Sequence, residues 1–282
     1  MTLDWPRISI VTPSYNQGRF LEATIQSVIG QGYPNLEYIV VDGGSTDNSV
    51  EIIRRYAGSL AFWVSEPDRG AAHAIDKGLG RASGEIVAWL SSDDIYEPGT
   101  LRAVARAFRQ DEGVTVVFGD CYMIDEEGRI LGTFKAEDEP FERKLQFWHG
   151  WRIPQPTVFV SRRVWEEMGP LDESLDYVFD YDWFLRVAQR HRFVHLGRVM
   201  ARYRVHAASK TGTDWERSRG RFFPECFQVS RPYWGTWRQF RYWQCWSGYL
   251  VSPLRRRLGR WKARTTRWRR MMLPGYGGQE QG

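Results

Sequence analysis

Apolar positions over the first 120 residues alternate between two periodicities. Short runs at Arg7–Thr12 (RISIVT), Leu36–Val41 (LEYIVV), Leu60–Val64 and Glu85–Leu90 read as buried strands. Between them, Phe20, Leu21, Ile25, Val28 and Ile29 recur at helical spacing. Val50, Ile52 and Ile53 mark a second helix that Ser45 or Thr46 can cap, and Ala71–Ala82 a third. A helix near Thr100–Arg109 leads into the strand VTVVFGD. Such alternation predicts an α/β fold, with a mostly parallel sheet flanked by helices on both faces.

The second half is less regular. A hairpin turns at Glu126–Gly128, and Phe184, Leu185, Val187 and Ala188 give DYVFDYDWFLRVAQRH a helical apolar face. FVHLGRVMARYRVH reads as two short strands or one bent strand. No internal repeat is present.

Each of the first four strands ends in a polar cluster: TPSYN, DGGSTDNS, SEPDRG and SSDD. Parallel sheets bind ligands beyond the carboxyl ends of their strands, so four clusters on one edge predict a shared site. Gly43 and Gly44 after Asp42 let main chain approach a ligand, a tight turn with a capping Asp being the alternative. Asp93 and Asp94 repel each other as neighbours. A divalent cation, held by carboxylates and substrate phosphates, would offset that repulsion, although SDD alone also suits a solvated turn.

TPSYNQGRFLEATIQSVIGQ, YIVVDGGSTDNSVEII, EPDRGAAHAIDKGL, GEIVAWLSSDDIYEPGTL and FDYDWFLRVA, in that order, resemble the family 2 glycosyltransferases. These are inverting sugar-nucleotide enzymes of GT-A fold, and the resemblance spans roughly residues 6–210. It implies that Pro13, Tyr15 and Asn16 line the nucleotide pocket. Asp42 would bind a uracil or thymine base or the ribose, Asp68 would sit against the nucleoside, and Lys77 would lie on the adjoining wall. Asp93 would face ribose or sugar, with Asp94 the direct metal ligand. Relatives often carry three carboxylates in this motif, whereas here the first position is Ser92. In FDYD the family's ED-type motif has Phe179 in place of Glu, leaving Asp180 as the candidate general base. Asp182 is its rival, the other role for which is complementing the helix dipole.

The resemblance further implies that His206 sits on the metal or diphosphate and that Arg204 adds a charge-assisted phosphate contact. Trp148, Trp151 and Gln155 belong to the segment that faces the acceptor in relatives, though core packing accounts equally for either Trp. QRHRF at 189–193 only partly resembles the QxxRW of processive synthases and follows Asp180 too closely, which favours single addition. The implied reaction moves a sugar from a UDP- or dTDP-sugar to a glycan or lipid-linked saccharide hydroxyl, with Mn2+ or Mg2+ as the divalent cation.

Charge changes the picture only at the end of the chain. The formal net charge is +5, yet no Asp or Glu occurs from Cys226 to Gln279. Residues 1–210 are therefore read as the catalytic domain and 211–282 as a basic, Trp-rich helical extension. In SPLRRRLGRWKARTTRWRRMM, Leu254, Leu258, Trp261, Trp268 and Met272 form an apolar stripe among Arg and Lys, suited to an anionic membrane surface. Trp234, Trp237, Phe240, Trp243 and Trp246 would add interfacial aromatics. Packing of this helix on the catalytic domain is the alternative.

A nucleic-acid-binding module is a competing reading of the same charges, but it gives Asp93, Asp94, Asp180 and His206 no purpose. Nucleotidyl transfer would need a glycine-rich basic loop after the first strand, which TPSYNQGRF is not. The N-terminus lacks a basic segment leading into an apolar one, and no apolar run approaches the roughly 20 residues of a bilayer span. Three dispersed cysteines suggest neither disulfides nor zinc. A cytoplasmic protein, peripheral on the inner face of the membrane, is the expectation.

Overall fold

In the computed structural model, residues 5–206, 209 and 215–250 are described, with backbone only at 215–220. The first half alternates as expected: β1 (Ile8–Ser14), α1 (Gly18–Ile29), β2 (Leu36–Asp42), α2 (Ser49–Tyr56), β3 (Phe62–Ser65), α3 (Ala71–Leu79) and β4 (Ile86–Trp89). There follow β5 (Ile95–Tyr96), α4 (Thr100–Gln110), β6 (Val116–Ile124), β7 (Ile130–Phe134), α5 (Phe141–Lys144), β8 (Phe159–Ser161) and α6 (Arg162–Met168). Then come α7 (Phe179–Ala188), β9 (Phe193–Arg204) and α8 (Trp215–Ser230). A further helical stretch occupies 240–250.

The strands form one sheet in the order β3-β2-β1-β4-β8-β6-β9-β5, with β7 on β6. β3, β2, β1 and β4 are mutually parallel, with Ser14 opposite Asp42 and Asp42 opposite Ser65. Their carboxyl ends therefore share one edge. β9 is a single irregular strand, parallel to β6 with shifts in register and antiparallel to β5.

Alternation of side chains along the strands builds two cores. Ile8, Ile10, Val40 and Ile86 face α1, α2 and α4, whereas Val11, Ile39, Val41 and Trp89 face α3, α6 and α7. The expected cap at Ser45 or Thr46 falls elsewhere: α2 starts at Ser49, and Asp47 accepts from the Ser49 N–H. Ser45 and Thr46 are used instead to hold Asn16.

A third core spans the expected division at residue 210. Leu145, Phe147, Leu175, Val178, Tyr181 and Leu185 pack with Cys226, Val229, Trp234 and Cys245. The described part of the C-terminal segment is thus joined to the glycosyltransferase-like half through a shared aromatic core. Trp148 meets Trp234 edge-to-face at 5.9 Å, and Glu225 accepts from the backbone N–H of Tyr177 at 2.8 Å. The stripe at 252–272 lies outside the described residues. Among the described residues no helix is long and apolar enough to cross a membrane.

Trp234 is fully buried. Trp234→Ala is expected to lower the free energy of unfolding by about 3–5 kcal/mol. Trp237→Ala, at an exposed position, should change it by no more than about 0.5 kcal/mol in the same denaturant titration.

Candidate active site

The four polar clusters meet at the carboxyl edge of β1, β2, β3 and β4, as the strand pattern implies. The loop after β1 is laced to the loop after β2. Asn16, at φ 51°, accepts from the Thr46 N–H at 2.8 Å and donates its own N–H to Ser45 Oγ at 2.8 Å. Gly18 donates to Asp47 at 2.9 Å, and a Cβ at Gly18 would strike the Asn48 side chain. This leaves Tyr15 projecting, 61% exposed, beside the buried Pro13.

Asp42 is fully buried and consumed by its own loop. It accepts from Gly44 N, Ser45 N, Ser45 Oγ and Ser65 Oγ. These donors let Asp42 set the shape of the turn. Asp68, partly exposed, caps Gly70 N–H at 2.8 Å and lies so close to Gly43 that a Cβ there would come within 2.5 Å of its Oδ2. Lys77 pairs with Glu66 on the same wall.

The two aspartates after β4 have different surroundings. Asp94 is 2% exposed, and its Oδ1 accepts the Arg204 N–H at 2.9 Å. Burial, reinforced by the charge of Asp93, pushes its pKa well above the carboxylate range. Asp93 Oδ2 lies 2.9 Å from His206 Nε2, and His206, itself 4% exposed, packs on Phe20 with ring centres 4.7 Å apart.

Arg204 is a buried strut of the same loop. It is 4% exposed and donates to the carbonyls of Asp93, Asp125 and Glu126, each at 2.9 Å. Thr24 of α1 clamps the same loop from the other side, donating to Ser92 O and Asp94 O. Thr24 and Phe20 carry no chemical signature in the sequence, appearing only as members of an amphipathic helix.

Asp180 and Asp182 both lie in the first turn of α7. Asp182 is engaged by Arg186 at 3.0 Å, whose other nitrogens donate to Met168 O and Pro170 O. That ties Asp182 to the α6–α7 connection. Asp180 accepts the Tyr181 N–H and lies close enough to α8 for its charge, after burial, to raise the Cys226 thiol. Gln155 donates to Trp89 O at 2.9 Å, bracing the end of β4. Trp148 belongs to the third core, and its indole N–H has no hydrogen-bond partner among the described residues.

Asp93 and His206 form the hydrogen-bonded pair at this strand end, beside the buried Asp94. No group of three His, Cys, Asp or Glu able to hold a metal occurs among the described residues.

Residues 9–167 match the profile of Glycosyl transferase family 2, and the chain belongs to that family. It is a glycosyltransferase. An uncharacterized glycosyltransferase of Rickettsia typhi is 31% identical over 217 residues, covering 74% of this chain and 67% of that protein. Mannosyltransferase PcManGT of Pyrobaculum calidifontis, solved with GDP-Man and Mn2+, superposes with TM-score 0.62 at 20% identity, covering 89% and 71% of the two chains. S. aureus TarS in complex with UDP-GlcNAc gives 0.58 at 19%, covering 72% and 60%. These structures share the GT-A fold. The match at 9–167 stops before Asp180 and His206.

Arg204→Met removes three donors from buried carbonyls and should cost about 3–5 kcal/mol of stability in denaturant unfolding. Arg204→Lys should not restore it, because one ammonium cannot span the same carbonyls.

Asp76 on α3 accepts from the Leu171 N–H, and burial raises its pKa to about 6. The folded chain then holds a proton that the unfolded chain releases near pH 4, so this contribution to stability falls as pH rises from about 4 to 6. Asp76→Asn should remove that slope from the pH dependence of unfolding, measured against wild type.

Proposed function

We propose that this chain transfers a sugar, with inversion, from a pyrimidine nucleoside diphosphate sugar to a saccharide hydroxyl. The observation that carries the reading is the Asp93–His206 pair at 2.9 Å at the carboxyl end of β4, beside the polar loops of β1, β2 and β3. The donor nucleoside lies over Tyr15, Asn16 and Asp68. Its diphosphate reaches Asp93 and His206, which would hold Mn2+ or Mg2+; such a cation would supply neutralisation of the charge developing on the leaving diphosphate. Support for a metal and a nucleotide sugar comes from PcManGT with GDP-Man and Mn2+ and from TarS with UDP-GlcNAc.

Asp180 serves as the general base. It takes the proton of the acceptor hydroxyl as that oxygen attacks the anomeric carbon opposite the leaving group, so no covalent enzyme intermediate forms. Asp182, paired with Arg186, is the rival base. The acceptor enters from the side of residues 147–155 and α7, and a glycan or lipid-linked saccharide is the acceptor class.

Hydrolysis and transfer assays across UDP-, dTDP- and GDP-sugars, with and without Mn2+ and a chelator, test the reading. Asp180→Asn should lower transfer on the order of 100- to 10,000-fold while leaving donor affinity nearly unchanged. Equal loss in Asp182→Asn with retained activity in Asp180→Asn would reassign the base. Chelator-insensitive activity would remove the metal from Asp93 and His206.

A further inference from the structure

The helical stretch 240–250 is apolar on two sides, and only one has a partner among the described residues. Tyr242, Cys245, Trp246 and Tyr249 face the third core. Phe240, Trp243 and Leu250, at spacings of three and seven, face outward and are 80%, 55% and 60% exposed. Trp237, just before the helix, adds a fourth group at 64%. The face is built rather than frayed: Trp243 Nε1 donates to Trp237 O at 2.6 Å, and the Arg238 guanidinium lies 5.2 Å from the Trp237 ring centre.

We propose that this face docks on an anionic lipid bilayer. Large amphipathic aromatics flanked by arginine suit the boundary between headgroups and acyl chains, where the rings leave water and the cations meet phosphate. Charge complementarity selects this occupant. The chain leaving Leu250 carries nine Arg and Lys between residues 255 and 270, and no acidic residue before Glu280. A second copy on the same face would bring two such segments together and be repelled. An anionic bilayer attracts both, each basic residue near its surface strengthening binding and salt weakening it. The aromatic face anchored through Trp234 and Trp246 then holds the catalytic half at a fixed attitude to the membrane, independently of which donor or acceptor it uses.

The test is co-sedimentation of the full chain with vesicles at physiological salt. Wild type should sediment with phosphatidylglycerol-containing vesicles and not with pure phosphatidylcholine. Phe240→Ser, and the pair Phe240→Ser with Trp243→Ser, should lower partitioning progressively, the pair on the order of tenfold or more. Thermal unfolding and UDP-sugar hydrolysis in solution should stay at wild-type values in both, which separates this outcome from any failure of the transfer reading. Wild type that ignores anionic vesicles overturns the proposal. So does partitioning unchanged in both variants, which assigns binding to the basic segment alone. A concentration-dependent dimer dissolved by the same substitutions, without vesicle binding, assigns the face to a second copy, and retention by RNA or DNA alone assigns it to nucleic acid. Either result likewise overturns it.

Discussion

The candidate site depends on one buried cation. Two carboxylates sit side by side at the end of β4, and the chain places Arg204 directly against their loop. The antiparallel pairing of β5 with β9 brings this about, because Ile95 opposite Arg202 carries Arg204 to Asp94 and His206 to Asp93. The guanidinium then ties the Asp93 carbonyl to the turn at Asp125 and Glu126. Burial pulls its own pKa down, and the charges of Asp93, Asp94 and Asp125 oppose that shift. A charge so placed is tolerable only because every partner is fixed, which makes this loop a rigid platform.

Rigidity elsewhere on the ligand edge comes from the same economy of short polar links. Asp42 organises its own turn, Asn16 joins the first two loops, and Gly43 leaves room for Asp68. The groups left facing outward are Tyr15, Asp68 and Asp93. The inward ones, Asp42, Asp94 and Arg204, hold the loops in shape.

Much of this was legible from the residues. Strand runs ending in polar clusters predicted the shared edge, because parallel strands must present their carboxyl ends together. The separation of Asp93 from Asp94 was not legible, since both follow the same strand and differ only in which side of the loop each faces. The role of Arg204 was equally hidden: its partners lie 78 to 111 residues away and are mostly backbone carbonyls, which have no residue-type signature. The packing of Trp148 on Trp234 and the bond from Gln155 to Trp89 O were also hidden, since both partners lie far away in the chain.

The sequence by itself determined the α/β alternation, the ligand edge and the family, because periodicity and short motifs are local properties. Tertiary structure alone decided which aspartate turns outward, which arginine becomes a strut and how the described C-terminal segment is used. Those outcomes depend on contacts between residues far apart in the chain, where burial and hydrogen-bond saturation, not residue type, assign the role.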